Sequence, residues 1–170
     1  MPWYRKKTRV SSDTSPNGVY SGLRHNALTI KRLEVGIPSP SPGAPAWGVL
    51  METGHGPVTV TLFALADGTT SLYFSNGAGV IGGQGHEMVR KANGAFLNQA
   101  NQLLAHLKPT ASFPIPEPAH TVFYVLTDSG ILEGGALEND LGYGRHPLSP
   151  LFHAGHEVIS QLRLTSEANE

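Results

Sequence analysis

The residues best placed to do chemistry in this chain are its eight histidines. Three of them fall close together near the C-terminal end, in Arg145-His146…His153-Ala-Gly-His156-Glu157. On a helix, His153 and His156 stand one turn apart, and Glu157 is four positions after His153. Two imidazoles at that spacing can chelate a divalent metal, and a nearby carboxylate can complete or orient such a site. The order H-x-x-H-E is neither of the helical zinc signatures H-E-x-x-H and H-x-x-E-H. A third ligand, such as His86 or Glu133, has no fixed place in the spacing. The plainer alternative is a solvent-facing His/Glu group on the polar side of a helix, worth a few tenths of a kcal/mol. The expectation is therefore no cofactor, with a divalent metal at His153, His156 and Glu157 as the exception to look for.

A second pattern is Gly77-Ala-Gly79-Val-Ile-Gly82, which fits G-x-G-x-x-G and precedes a helical stretch. A dinucleotide site also needs a short strand–helix–strand unit and an acidic residue about 20 positions on. Gln102 occupies that distance from Gly82, and the preceding strand reads as a hairpin partner. The glycines are expected to allow positive φ and close packing instead. Gly82, Gly83 and Gly85 then lead into a helix N-terminus at His86 and Glu87. Free N–H groups there would favour an anion or small ligand. His86 and Glu87 could act as an acid–base pair, although Glu87 also simply complements the helix dipole.

Nothing else in the chain assembles a catalytic constellation. There is no G-x-S-x-G elbow and no phosphate-binding G-x-x-x-x-G-K-[ST] loop. Glu133, Glu138 and Asp140 lack the spacing of a calcium-binding hand. With no cysteine in the chain, disulfides and thiolate metal sites are excluded.

The elements that would position these residues follow from periodicity. Residues 1–45 read as a basic, proline-rich and largely flexible segment, poorly ordered over 1–20. Within it Leu23, Ala27, Ile30 and Leu33 allow a short helix over 21–34, and the run Leu28-Thr29-Ile30 also permits a strand. Pro38, Pro40, Pro42 and Pro45 make the linker 36–45 extended. A single α+β domain is expected over 46–165, followed by a frayed tail at 166–170.

In that domain Trp47 to Thr53, Val58 to Ala66 and Ser71 to Ser75 read as strands. The turns are Gly54 to Pro57 and Asp67-Gly68, and the latter is a strong hairpin signal. They predict a three-stranded antiparallel meander. A glycine-rich loop at 76–85 leads to a helix from His86 to Leu107, whose apolar stripe runs through Val89, Ala92, Phe96, Ala100 and Leu103. Asn93 lies within that stripe and needs a hydrogen-bond partner. After Pro114, Pro116 and Pro118, Thr121 to Thr127 is a later strand, with Ile131 to Glu133 pairing back. An acidic loop at 134–147 precedes a last helix, with Ser149 as N-cap and Pro150 at its first position. Its core face is Leu151, Ala154, Gly155, Val158 and Leu162.

These predictions give an α+β fold, mainly an antiparallel sheet with two amphipathic helices packed on it. The element order resembles that of profilin-like and roadblock-like domains, with no motif of either family present. Fold likeness alone carries no function.

Charge is uneven along the chain. Residues 1–44 carry seven Lys/Arg against two acids, and residues 45–170 carry five against eleven. Nucleic acid would be reached only through Arg5, Lys6, Lys7 and Arg9, and a solvated tail explains the same charges. No stretch approaches the ~20 apolar residues of a membrane span, and the basic start has no apolar segment after it. The expectation is a cytoplasmic protein. The functional expectation is a non-enzymatic module that binds a protein partner or self-associates, as a homodimer through a sheet edge or helix face. The alternative is a small-molecule sensor or enzyme, with a site between the Gly77–Gly85 loop and the His153/His156 helix.

Overall fold

A computed structural model describes residues 15–81 and 83–168. The basic cluster Arg5, Lys6, Lys7 and Arg9, and the glycine at position 82, lie outside the described residues. The described chain forms a seven-stranded sheet in the order β4-β3-β2-β1-β6-β7-β5. The strands are β1 (Gly48–His55), β2 (Val58–Leu65), β3 (Thr70–Phe74), β4 (Gly79–Ile81), β5 (Lys108–Thr110), β6 (His120–Thr127) and β7 (Gly130–Leu137). Every neighbouring pair is antiparallel. The helices are α1 (Pro16–Thr29), α2 (Glu87–Gln102), α3 (Glu138–Gly142) and α4 (Ser149–Ala168). This is an α+β fold built on an antiparallel sheet.

Strand alternation sorts the sheet into two faces. One face carries Val49, Met51, Leu62, Leu72, Phe123 and Val125, and α2 and α4 cover it with Val89, Phe96, Leu151, Val158 and Leu162. The opposite face carries Leu50, Phe63, Leu65, Tyr73, Tyr124 and Leu126, packed against Tyr20, Ala27 and Leu28 of α1. The molecule therefore has a helix layer on each side of the sheet. The packed body does not begin at Ala46, since Tyr20 and Ile37 are buried.

The reason lies in α1. Tyr20, Leu23, Arg24, Ala27 and Leu28 recur at i, i+3, i+4, i+7 and i+8 and form one stripe. Leu33, counted into the expected stripe, is 80% exposed because the helix has already ended at Thr29. Ser15 caps α1, its hydroxyl accepting from Gly18 N–H at 3.1 Å.

Several other boundaries move. The glycine-rich segment is not all loop: Gly77 turns at φ +95°, and Gly79–Ile81 pairs with β3 as a fourth meander strand. The first long helix stops at Gln102 instead of Leu107, giving way to a 3-10 turn and β5. The expected acidic loop is instead the end of β7 followed by α3, and β7 pairs with β6 over all eight residues. The last helix continues past Thr165 to Ala168, where a frayed tail was expected. Ser149 bonds back to the preceding loop, its hydroxyl accepting from His146 N–H at 3.3 Å.

Gly155 sets how closely α4 can approach the sheet. A Cβ at this position would lie 2.6 Å from Met51 Sδ and 3.1 Å from Phe96 Cε1. Asn93 finds its partners, donating to Thr70 Oγ1 at 2.9 Å and Leu65 O at 3.2 Å, and so ties α2 to the β2–β3 turn.

Candidate functional site

The face of α4 turned toward the sheet margin is where polar chemistry and free space coincide. His156, Ile159, Ser160 and Arg163 recur at i, i+3, i+4 and i+7, so they form one stripe along the helix. Opposite them stand Thr53 and His55 at the end of β1, Val58 and Val60 on β2, and Leu72 and Phe74 on β3. Together they enclose a cleft of about 510 Å³. Its inner wall is apolar apart from buried Thr53, whose hydroxyl bonds that of Thr121, and half-buried His156, while His55, Ser160 and Arg163 are exposed at the rim.

His156 is not on the polar face that the spacing suggests. It is half-buried, its ring 4.3 Å from that of Phe152, and its Nε2 is shielded with no hydrogen-bond partner among the described residues. Burial pushes its pKa below the ordinary histidine value. The nearby His153, His55 and Arg163 act in the same direction, and Glu138 opposes them. His153 is exposed, and Glu157 accepts from Gln161 Nε2 at 2.8 Å. These three residues therefore face different surroundings. Among the described residues no three His, Asp or Glu side chains converge as a metal would require.

The second expected site is not joined to this cleft. Gly83 is buried, and a Cβ there would lie 2.5 Å from Leu162 Cδ2 and 2.9 Å from Val89 Cγ1. Its role is close packing of the turn against α2 and α4. Gly85, His86 and Glu87 are exposed, and His86 caps α2 without a side-chain hydrogen bond. The glycine turn does meet α4, but at Leu162 and not at His153 or His156.

A larger cleft, about 630 Å³, opens beside β5 and β7 and is lined by His106, His120, His146, Lys108 and Glu133. Several of its polar groups are already engaged. Lys108 pairs with Glu133 at 3.7 Å, His146 Nδ1 accepts from Leu148 N–H at 3.1 Å, and His120 Nδ1 lies 3.2 Å from Pro118 O. The α4 cleft differs in that Arg163 forms no ion pair among the described residues.

The strongest polar cluster is structural and was not foreseen. Glu52, in the middle of β1, is 0% exposed and receives Arg24 Nη2 at 2.8 Å and Nε at 2.9 Å. Thr61 donates to it at 2.7 Å, and Tyr20 reaches it at 3.4 Å. Arg24 Nη2 also donates to Phe113 O at 2.9 Å, which fixes the proline-rich segment before β6. Burial opposes the Arg24 charge, but the hydrogen bonds and charge of Glu52 outweigh it and raise its pKa. One signal was available in the sequence: a carboxylate directly after the apolar run Val49-Leu50-Met51 of a strand must have a partner if buried.

No family model, curated protein or solved structure matches the chain. The resemblance in element order to profilin-like and roadblock-like domains accordingly gains no support. No helix among the described residues is long and apolar enough to cross a membrane.

Proposed function

We propose that this protein is a small-molecule-binding module, a sensor or carrier, with its site between β1–β3 and α4. The supporting observation is the cleft of about 510 Å³, with a largely apolar inner wall and, at its rim, an arginine that forms no ion pair among the described residues. Small-molecule sites fall in the range of roughly 300–1,000 Å³ and combine apolar walls with a few polar groups. Ser160 donates to His156 O at 3.0 Å, within its own helix, which favours binding over nucleophilic catalysis. The test uses Nile red, a neutral dye whose emission reports an apolar site. One equivalent should bind, and Ser160→Trp, which fills the rim from an exposed position, should abolish it. Failure of the dye to bind, or binding unchanged in Ser160→Trp, contradicts the reading.

Self-association is the second reading, and β7 favours it. β5 covers the outer edge of β7 only at Ile131, Leu132 and Glu133. Residues 134–137 have no strand on that side among the described residues, and the exposed Leu137 lies there. Such an edge can pair with a second copy. Sedimentation equilibrium should then give a dimer that Leu137→Lys dissociates, whereas a monomer at high concentration rules this out.

A further inference from the structure

We propose that the α4 cleft takes an amphipathic organic monoanion, one carboxylate on an apolar body. This inference rests on the small-molecule reading above and adds the class of ligand. No aspartate or glutamate lines the cleft. Its titratable groups are His55 at the end of β1, and His156 and Arg163 on α4, and each of these is neutral or cationic. Arg24, Arg32 and Arg145 each pair with a carboxylate, at 2.8, 2.8 and 3.2 Å, and Arg90, which has no such pair among the described residues, donates to Gln84 O at 2.8 Å in a cleft that also holds Asp67. Arg163 has no such partner among the described residues, so its guanidinium is free to receive one.

His156 adds a second observation. Its Nε2 is buried with no hydrogen-bond partner among the described residues, and His55, His153 and Arg163 each disfavour its charged form. An anion at the rim would meet the Arg163 guanidinium, with the imidazoles of His55 and His156, which can donate hydrogen bonds, lining the same cleft. Glu138 acts on His156 in the sense opposite to His55, His153 and Arg163, and neither it nor the adjoining Glu157 is part of the cleft wall. Below the rim, Met51, Val60, Leu72, Phe74 and Ile159 offer only apolar contact. Such a wall suits a hydrocarbon or aromatic body and gives a second charged group no partner. Arg163 is the one permanently charged cation on the wall, which sets the ligand's charge at one.

The inference is tested with three probes that share one apolar chain: decanoate, decanol and decylammonium, each kept below its aggregation concentration. Each is titrated against Nile red bound to the full chain. Decanoate should displace the dye at a five- to tenfold lower concentration than decanol, and decylammonium should be the weakest. In Arg163→Gln the ratio of decanoate to decanol should fall to about one. Because Arg163 is exposed, this change should leave the fold intact, and thermal unfolding checks that it does. Equal displacement by decanoate and decanol overturns the ligand class while leaving the site in place, as does a ratio unchanged in Arg163→Gln. If Nile red itself does not bind, the site fails together with the inference.

Discussion

Arg24 on α1 grips Glu52 at the centre of the sheet with both arms of its guanidinium, Nη2 to one carboxylate oxygen at 2.8 Å and Nε to the other at 2.9 Å. This two-point contact pins a helix from the N-terminal segment onto a strand whose preceding residues, Val49, Leu50 and Met51, are apolar. Removing one partner strands a charge in the interior and costs about 3–5 kcal/mol, whereas replacing both can be close to neutral. Arg24→Met should therefore be strongly destabilising in urea denaturation. The double variant Arg24→Met/Glu52→Leu should recover most of the loss, because Tyr20 and Thr61 still bond each other at 2.7 Å. A double variant as unstable as the single one would mean that the pair contributes more than mutual neutralisation.

The same cluster sets the alkaline limit. Burial, reinforced by the Glu52 charge, pushes the phenols of Tyr20 and Tyr124 up to about 12. A raised folded-state pKa gives stability that is complete below the unfolded value, about 10, and is lost as pH rises through the folded value. Stability should thus fall between about pH 10 and 12. Tyrosinate absorbance should show the phenols of Tyr20 and Tyr124, and that of Tyr73, which burial also pushes up, titrating late until unfolding exposes them.

At the acid end the sign reverses for His156, whose folded pKa is lowered by burial and by His153, His55 and Arg163. The unfolded chain binds the proton first, so stability is full above about pH 6.5 and declines as pH falls below it. Melting temperature measured from neutral to mildly acidic pH should decline in the parent chain and less in His156→Gln. Equal slopes would show that His156 is not the group responsible.

Legibility in the sequence followed the strength of local signals. Val58 to Ala66 alternates cleanly and ends at Asp67-Gly68, so β2 and its turn could be read directly. The last helix could be read from its start at Ser149-Pro150. The N-terminal helix was undervalued because its burial depends on a polar anchor: Arg24 looks like a solvated charge until Glu52 is placed opposite it. β4 and β5 have three residues each, too short for alternation to register, and their pairing comes from the neighbouring strands. At the site, His156 could be singled out from the histidine spacing but was assigned to the wrong environment. Phe152 and Ile159 widen the buried face of α4 beyond the Leu151–Val158–Leu162 stripe, and that turns His156 inward. Thr53, His55 and Arg163 were missed because a cleft joining a strand end to the far half of a helix has no signature in spacing.

Two glycines in helices should respond oppositely to alanine. Gly94 is exposed on α2 with nothing within 4 Å of an added Cβ, so Gly94→Ala should stabilise by about 0.5–1 kcal/mol. Gly155 has the same propensity to gain, but its Cβ would meet Met51 and Phe96 in a packed core, where overpacking costs about 1–3 kcal/mol. Gly155→Ala should therefore destabilise by about 1 kcal/mol net. The comparison is made by thermal or urea unfolding of the two variants side by side.

The most direct test of the account is an amide chemical-shift map of isotope-labelled protein titrated with decanoate. Saturable shifts should centre on Thr53, His55, Val60 and Phe74 of the sheet and on His156, Ser160 and Arg163 of α4. Residues around His106, His120 and His146 should stay unchanged. Shifts centred on that second cleft, or none below the aggregation concentration of the probe, would contradict the placement of the site.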